Sequence, residues 1–234
     1  MLRLSPATEA DYSTLSDIES AAFSPSLISQ TIFSGVSPSN RRTHASKRFK
    51  HELRNPQKRL VKAERNGEIL GWAQWEVPLE EGQEAFSPPQ EEGPGWAEGT
   101  NVAEAETFFP KLDLGIKEPH YLSFSPWFPP FLAHPSSRTD LSILVVDPSK
   151  QKTGAGRALL QWGIERADKE GKDIYLESSP IAVEVYPKFG FESVCEPIRG
   201  GTQNQLVVYP MRRRPGTSAA SKPPSPPSAT GELV

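Results

Sequence analysis

The chain of 234 residues has one cysteine, Cys195, and only four histidines. A single cysteine excludes an internal disulfide framework and fits a reducing compartment. These five residues fall at no metal-ligand spacing, so no metal site is expected. Excess charge is also scarce: 26 Lys and Arg against 29 Asp and Glu leave a net charge of -3. That balance carries no global signature of a nucleic-acid or membrane partner. Long apolar runs are missing as well. No stretch approaches the ~20 residues that span a bilayer, and the opening "MLRLSPATEADYS" has no apolar core of signal-peptide length. The expected location is the cytoplasm, with the nucleus as the second choice.

Proline, by contrast, is plentiful: 24 residues, about twice average usage, which points to linkers and a tail. The length suffices for one sizeable core. A strand is expected at Leu2–Ser5, then a helix over about Glu9–Phe23. Thr8 and Asp11 offer that helix a capping box, and Leu15, Ile18, Ala22 and Phe23 an apolar face. A short helix fits Ser26–Phe33. From Arg41 to Arg59 eight Lys and Arg face one acid, Glu52, and a helix there should end before Pro56. Without an aromatic ladder beyond Phe49, that run is read as a solvated helix face rather than a nucleic-acid surface. Asn66-Gly67, between two alternating segments, predicts a two-residue hairpin turn.

Leu79–Glu106 holds eight Glu and no Lys or Arg, with no periodicity, and is read as a solvated insertion at about 79–107. Phe108–Phe131 is aromatic and proline-rich, expected to cover the core or wall a site. Beyond Asp140 the pattern is strand Leu141–Val146, helix Gly156–Glu170, strand Asp173–Glu177, helix near Ala182–Phe189, then strands Phe191–Glu196 and Gln205–Met211. The whole reads as one α/β domain over 1–214, and 215–234 as a disordered tail.

The joint between Val146 and Gly156 carries the chemistry. A strand stopped by Pro148 and a helix opened by small residues expose backbone N–H groups that no helical carbonyl satisfies. Glycine permits close approach, and the helix dipole favours an anion such as a phosphate. Lys150, Lys152 and Arg157 add charge at the rim. An ordinary strand-helix turn with two glycines is the competing reading. A Walker loop fails because Arg157-Ala158 follows Gly156; a dinucleotide fingerprint fails because Leu159 stands where a third small residue belongs.

The segment Gln151-Lys152-Thr153-Gly154-Ala155-Gly156 resembles the acyl-CoA loop of the GNAT N-acetyltransferase superfamily, Gln/Arg-x-x-Gly-x-Gly/Ala. Downstream, "IYLESSPIAVEVYPKFGFESV" resembles the family's second signature, with Tyr186, Gly190 and Phe191 in its slots. The likeness covers 139–212 well and 1–78 loosely, and leaves 79–138 unmatched. It implies a mixed sheet splayed between the two strands that flank the helix, with coenzyme A in the splay. Leu144, Val145 and Val146 would meet the pantetheine arm through their backbone. Gln151, Lys152, Thr153, Gly154, Ala155 and Gly156, with Arg157, would cradle the pyrophosphate. Tyr186 would protonate the departing thiolate; its competing role is plain packing beside Phe189 and Phe191. Asp140 occupies the offset at which amine-acting members often place a general base, and Glu177 is a second candidate; both also suit ordinary strand-end positions. The implied activity is acetyl transfer from acetyl-CoA to an amine, a small molecule favoured, by direct attack. An acyl-CoA-binding sensor or interaction module on the same fold is the alternative. Acceptor identity and oligomeric state stay open.

Overall fold

The computed structural model describes residues 1–78, 96–117 and 138–217. Asn66 and Gly67 both take positive φ, 54° and 80°, as a two-residue hairpin turn requires. They join β2 (Lys58–Arg65) to β3 (Glu68–Glu76), while β1 (Arg3–Pro6) pairs antiparallel with β2. On the far side of β3 lies β4 (Arg138–Val146), antiparallel to it, and β5 (Asp173–Ser178) runs parallel to β4. The last long strand, β8 (Leu206–Arg213), is antiparallel to β5; the short β6 (Glu192–Ser193) and β7 (Ile198–Gly200) pair with its other edge. The result is a mixed sheet with one parallel neighbour pair at its centre.

Helices cover both faces. On one, α1 (Tyr12–Phe23) and α3 (Pro38–Arg54) pack Leu15, Ile18, Ala45 and Phe49 against Leu60, Trp72 and Val145. The fully buried Trp72 indole N–H donates to the Leu15 carbonyl at 3.0 Å, satisfying its one polar group. Between these helices lies the short α2 (Leu27–Ile32), capped by Ser26. On the opposite face, α5 (Ala155–Glu170) lays Leu159, Leu160, Ile164 and Ala167 on Ala73, Trp75, Leu141, Ile174 and Leu176. Gly163 lets the helix sit close, since a Cβ there would fall 2.1 Å from the Trp75 ring. Gly171 ends α5 in the left-handed conformation, φ 63°.

One irregularity decides what the centre can do. Gln74 pairs with Ile143 and Trp75 with Leu141, so Ser142 is an extra residue bulged out of β4. The bulge resets side-chain parity: Leu144 and Val146 join the α5 face, Ile143 and Val145 the α1 face. It falls one residue beyond the last β4–β5 pair, Leu141 with Leu176. From there β4 pairs only with β3, and Glu177 and Ser178 only with β8. The two parallel strands therefore diverge into a V, and among the described residues their inner edges no longer pair with each other. The expected splay is present.

Three expectations need correction. The insertion is not irregular up to residue 107: α4 spans Val102–Lys117, and Ala105, Phe108, Phe109 and Leu112 pack at helical spacing into a third apolar cluster. Its acidic composition and Pro110, which removes one helical N–H, hide that pattern. The second crossover is not a helix over Ala182–Phe189 but turns followed by a single 3-10 turn, Tyr186–Phe189; Pro180 and Pro187 withhold the N–H groups an α-helix needs. The strand expected at Phe191–Glu196 shrinks to two residues, and β7 was not anticipated. Most of the acidic stretch, the prolines and histidines of 118–137, and the tail from 218 lie outside the described residues.

Candidate active site

The strand-helix joint stands at the open end of the V. Asp147 turns the chain by accepting from the Ser149 amide (2.8 Å) and hydroxyl (2.7 Å), an Asx turn. A 3-10 turn, Pro148–Lys150, follows. Lys152 (φ 62°) and Gly154 (φ 90°) then adopt left-handed backbone. Gly154 precedes α5 with no side-chain cap, and the first helical bond runs from Ala158 N–H to the Gly154 carbonyl. The amides of Ala155, Gly156 and Arg157 therefore precede the helical ladder, at the positive end of a sixteen-residue dipole. A Cβ on Gly156 would meet Val146 at 3.3 Å, while Gly154 has nothing within 4 Å and is glycine for its conformation.

The joint is held from behind. Thr153 turns its hydroxyl inward to the Lys150 carbonyl (2.7 Å), and its own carbonyl accepts from Arg65 Nη2 at 3.0 Å. Lys150 is drawn to Glu68 (2.7 Å), away from the role of a free rim charge. Gln151, Lys152, Gly154 and Arg157 stay exposed. Nothing local in the sequence points to Arg65, which reaches the loop only because the hairpin folds back beside it.

Leu144, Val145 and Val146 lie on the diverging half of β4, with side chains in the two cores and backbone along the inner edge of the V. Tyr186 sits in the α5-face cluster, its ring 5.5 Å from Phe191 in edge contact. Burial alone pushes its phenol up to about 12, so the hydroxyl keeps its proton at neutral pH. Arg213, on β8, fixes the surrounding turn. It grips Asp168 of α5 through two nitrogens (2.6 and 3.0 Å) and donates to the Phe189 carbonyl (2.9 Å).

Asp140 and Glu177 project to the opposite face, the one carrying α1 and α3. Asp140 pairs across to Tyr175 in register, one step below the apex, and Glu177 stands just beyond it. Burial pushes the Asp140 carboxyl up to about 6 despite the opposing charge of Arg138, whose Nε lies 2.8 Å from Oδ1. Arg138 is itself buried and stacks on the Tyr175 ring at 4.4 Å. The Tyr175 hydroxyl donates to Glu177 (3.2 Å), so both candidate bases belong to one row of buried polar groups. A third carboxyl, Glu52 of α3, is pushed up by burial against the pull of Arg48, and the Gln74 amide donates to it. Sequence reading missed Arg138 and Tyr175, which only strand register brings to this row, and Glu52, which helix docking sets against Gln74 of β3. Among the described residues no His, Cys, Asp and Glu cluster suits a metal ion, and no helix is long and apolar enough to cross a membrane.

An anion cradle at the open end of a splayed parallel pair, with a neutral phenol on one face and carboxyls on the other, suits a phosphate-bearing acyl donor. Residues 132–214, which include the cradle, the phenol and both central strands, match the sequence model of the family described as acetyltransferase (GNAT) domain. Residues 132–214 are thus similar to a GNAT acetyltransferase domain. The GNAT architecture extends beyond that match. A Corynebacterium glutamicum structure, histone acetyltransferase HPA2 and related acetyltransferase, aligns with a TM-score of 0.51 at 22% identity, covering 94% of this chain and 99% of that one. The PaiA N-acetyltransferase of Thermoplasma acidophilum, in complex with coenzyme A, aligns at 0.50 with 11% identity, over 92% and 99% of the two chains. A Staphylococcus aureus N-acetyltransferase gives 0.50 at 15% identity, over 92% and 98%. At such identities the shared feature is the GNAT fold. No curated protein matches the chain by sequence.

Proposed function

We propose that the protein transfers an acetyl group from acetyl-CoA to the amine of a small molecule, by direct attack within a ternary complex, and that its catalytic domain extends over 1–214. The observation that carries the reading is the V itself. Beyond Leu141 and Leu176 its two strands cease to pair with each other, and they open beside the uncapped amides of Ala155, Gly156 and Arg157. Strand edges of this kind call for a partner with alternating donors and acceptors, which the pantetheine arm has, and the amides call for an anion, which the pyrophosphate supplies.

In this reading Leu144–Val146 meet the pantetheine through their backbone, and Gln151–Gly156 with Arg157 hold the pyrophosphate. A carboxylate on the far face, Asp140 or Glu177, takes a proton from the acceptor ammonium. The freed amine nitrogen attacks the thioester carbonyl, the C–S bond breaks, Tyr186 gives its proton to the sulfur, and the second proton that the nitrogen sheds as the amide forms passes through solvent to restore the phenol. The domain contributes chiefly position and proton handling. Asp140 is the better base because its carboxyl is raised to about 6, ionised at neutral pH yet more basic than an exposed aspartate.

Incubation with acetyl-CoA and a panel of small primary amines, with free thiol followed, tests the proposal. Amine-dependent thiol release is expected. Binding of acetyl-CoA without thiol release on any amine would instead make the protein an acyl-CoA sensor.

A further inference from the structure

We propose that α4 is a fixed strap across the acceptor side of the V, and that it admits an amine borne on a small molecule while excluding a lysine within an extended peptide. The inference rests on the transferase reading and names the element that selects its substrate.

The argument begins with what flanks the opening. The final β5–β8 pair is Ser178 with Tyr209, so Leu206–Val208 run on past the carboxyl end of β5, where they pair with β7. This hairpin stands along one side of the V. Along the other, α1 packs Ile18 and Ala22 near Ile143 and Val145 on the diverging half of β4, and α2 continues from it. A peptide threading its lysine toward the apex from the carboxylate face would lie between α2 and the β7–β8 hairpin.

That interval is occupied by α4. Ala105 and Phe108 form a single buried cluster with Ile32 of α2 and with Leu206 and Val208 of β8. Leu206 and Val208 have the parity of Pro210 and Arg212, the carboxylate side of the sheet, opposite to Met211 on the α5 face. Polar grips fasten the amino end of α4 on both sides. Toward the hairpin, the Glu104 carboxylate accepts from the Thr202 amide (2.9 Å), the Thr202 hydroxyl and the Gln205 amide (3.2 Å). Toward α2, the Asn101 amide donates to the Ile32 carbonyl (2.8 Å), and Gly99 lies so close to Gly35 that a Cβ on it would fall 2.2 Å from the Gly35 carbonyl oxygen. Letting an extended chain pass between these contacts would displace α4 and uncover Phe108, only 1% exposed, together with its apolar partners.

The test uses affinity and so needs no turnover. Two conjugates carry CoA joined through an acetyl bridge to an amine: one to the side chain of a capped single lysine, the other to the same lysine within an extended peptide. CoA alone is titrated first. Failure of the wild-type protein to bind CoA would overturn the acyl-CoA reading and this proposal with it. If CoA binds, the peptide conjugate should bind wild type at least about tenfold more weakly than the single-lysine conjugate, the scale of a steric penalty at a fixed wall. The Glu104→Ala and Phe108→Ala variants should shrink that ratio to about threefold or less while CoA alone binds as before. Glu104→Ala releases only the polar grip, so it stands in where Phe108→Ala fails to fold. Equal or tighter binding of the peptide conjugate to wild type would make the acceptor a protein and overturn the strap. A ratio unchanged in a folded variant would overturn it as well.

Discussion

Helices α4 and α5 are both sixteen residues long and flank the same opening from opposite faces, yet they are held in different ways. The inner stripe of α5 lies on four strands of the sheet, and its amino terminus is left bare, with a glycine where a capping side chain would stand. Helix α4 has no sheet of its own beneath it. It shares a small satellite core with α2, β7 and β8 and is fastened by Glu104, Asn101 and Lys111. A helix anchored on the central sheet presents a rigid, unsatisfied end to a ligand that is always the same. A helix held by peripheral elements can be altered by substitution without disturbing that end. The donor side is thus built into the framework, and the acceptor side is attached to it.

The sharpest way to break this comparison is at the chemistry on the α5 face. Tyr186→Phe should lower kcat by about 100-fold or more, in the range of general acid-base contributions, and leave the Kd for CoA within about twofold. Stopped-assay thiol release together with calorimetry reads both, and full activity in that variant would remove Tyr186 from the mechanism. Next in size is the α5 anchor. Gly163→Ala places a methyl within 2.4 Å of three atoms of the Trp75 indole, so it should cost about 2–3 kcal/mol as overpacking, seen as a fall in the chemical-denaturation midpoint. An equivalent fall for Glu104→Ala would erase the difference between the two helices.

A smaller effect is expected on the carboxylate face. The folded-state value of about 6 for Asp140 exceeds the ordinary 3.8. Its contribution to stability is therefore complete below about pH 4 and lost as pH rises through about 6. Asp140→Asn removes that cost at pH 8 but leaves the buried Arg138 without its anion, so its expected readout is a lower kcat. Wild-type kcat/KM should fall below about pH 6, where the carboxyl protonates. A variant that is no slower would pass the base to Glu177.

How much of this was legible beforehand follows the same division. The Asn66-Gly67 turn, the Thr8–Asp11 box and the glycines bounding α5 act through neighbours in sequence, and each appears where local rules put it. Thr8 donates its amide to Asp11 at 2.7 Å, for example. The uncapped start of α5 was legible for the same reason. The polar row was not, since Arg138, Asp140 and Tyr175 meet only once a parallel register is set. The Ser142 bulge, which opens the V and resets parity along β4, carries no signal in a serine between two aliphatic residues. Helix α4 escaped because Pro110 interrupts it and because its apolar face is intelligible only against Ile32 and Leu206, which lie far away in the chain.

The account stands on coenzyme A occupying the α5 side, independent of the strap. Calorimetric titration of CoA into wild type, Gly154→Ala, Arg157→Glu and Glu104→Ala tests that directly. Gly154 sits at φ 90°, which a Cβ disfavours by about 1 kcal/mol or more, and Arg157→Glu sets a negative charge beside the bare amides. Both substitutions should weaken CoA about tenfold or more, with Glu104→Ala within about twofold of wild type. Absence of CoA binding to wild type, or a loss confined to Glu104→Ala with the loop variants unaffected, would contradict the account.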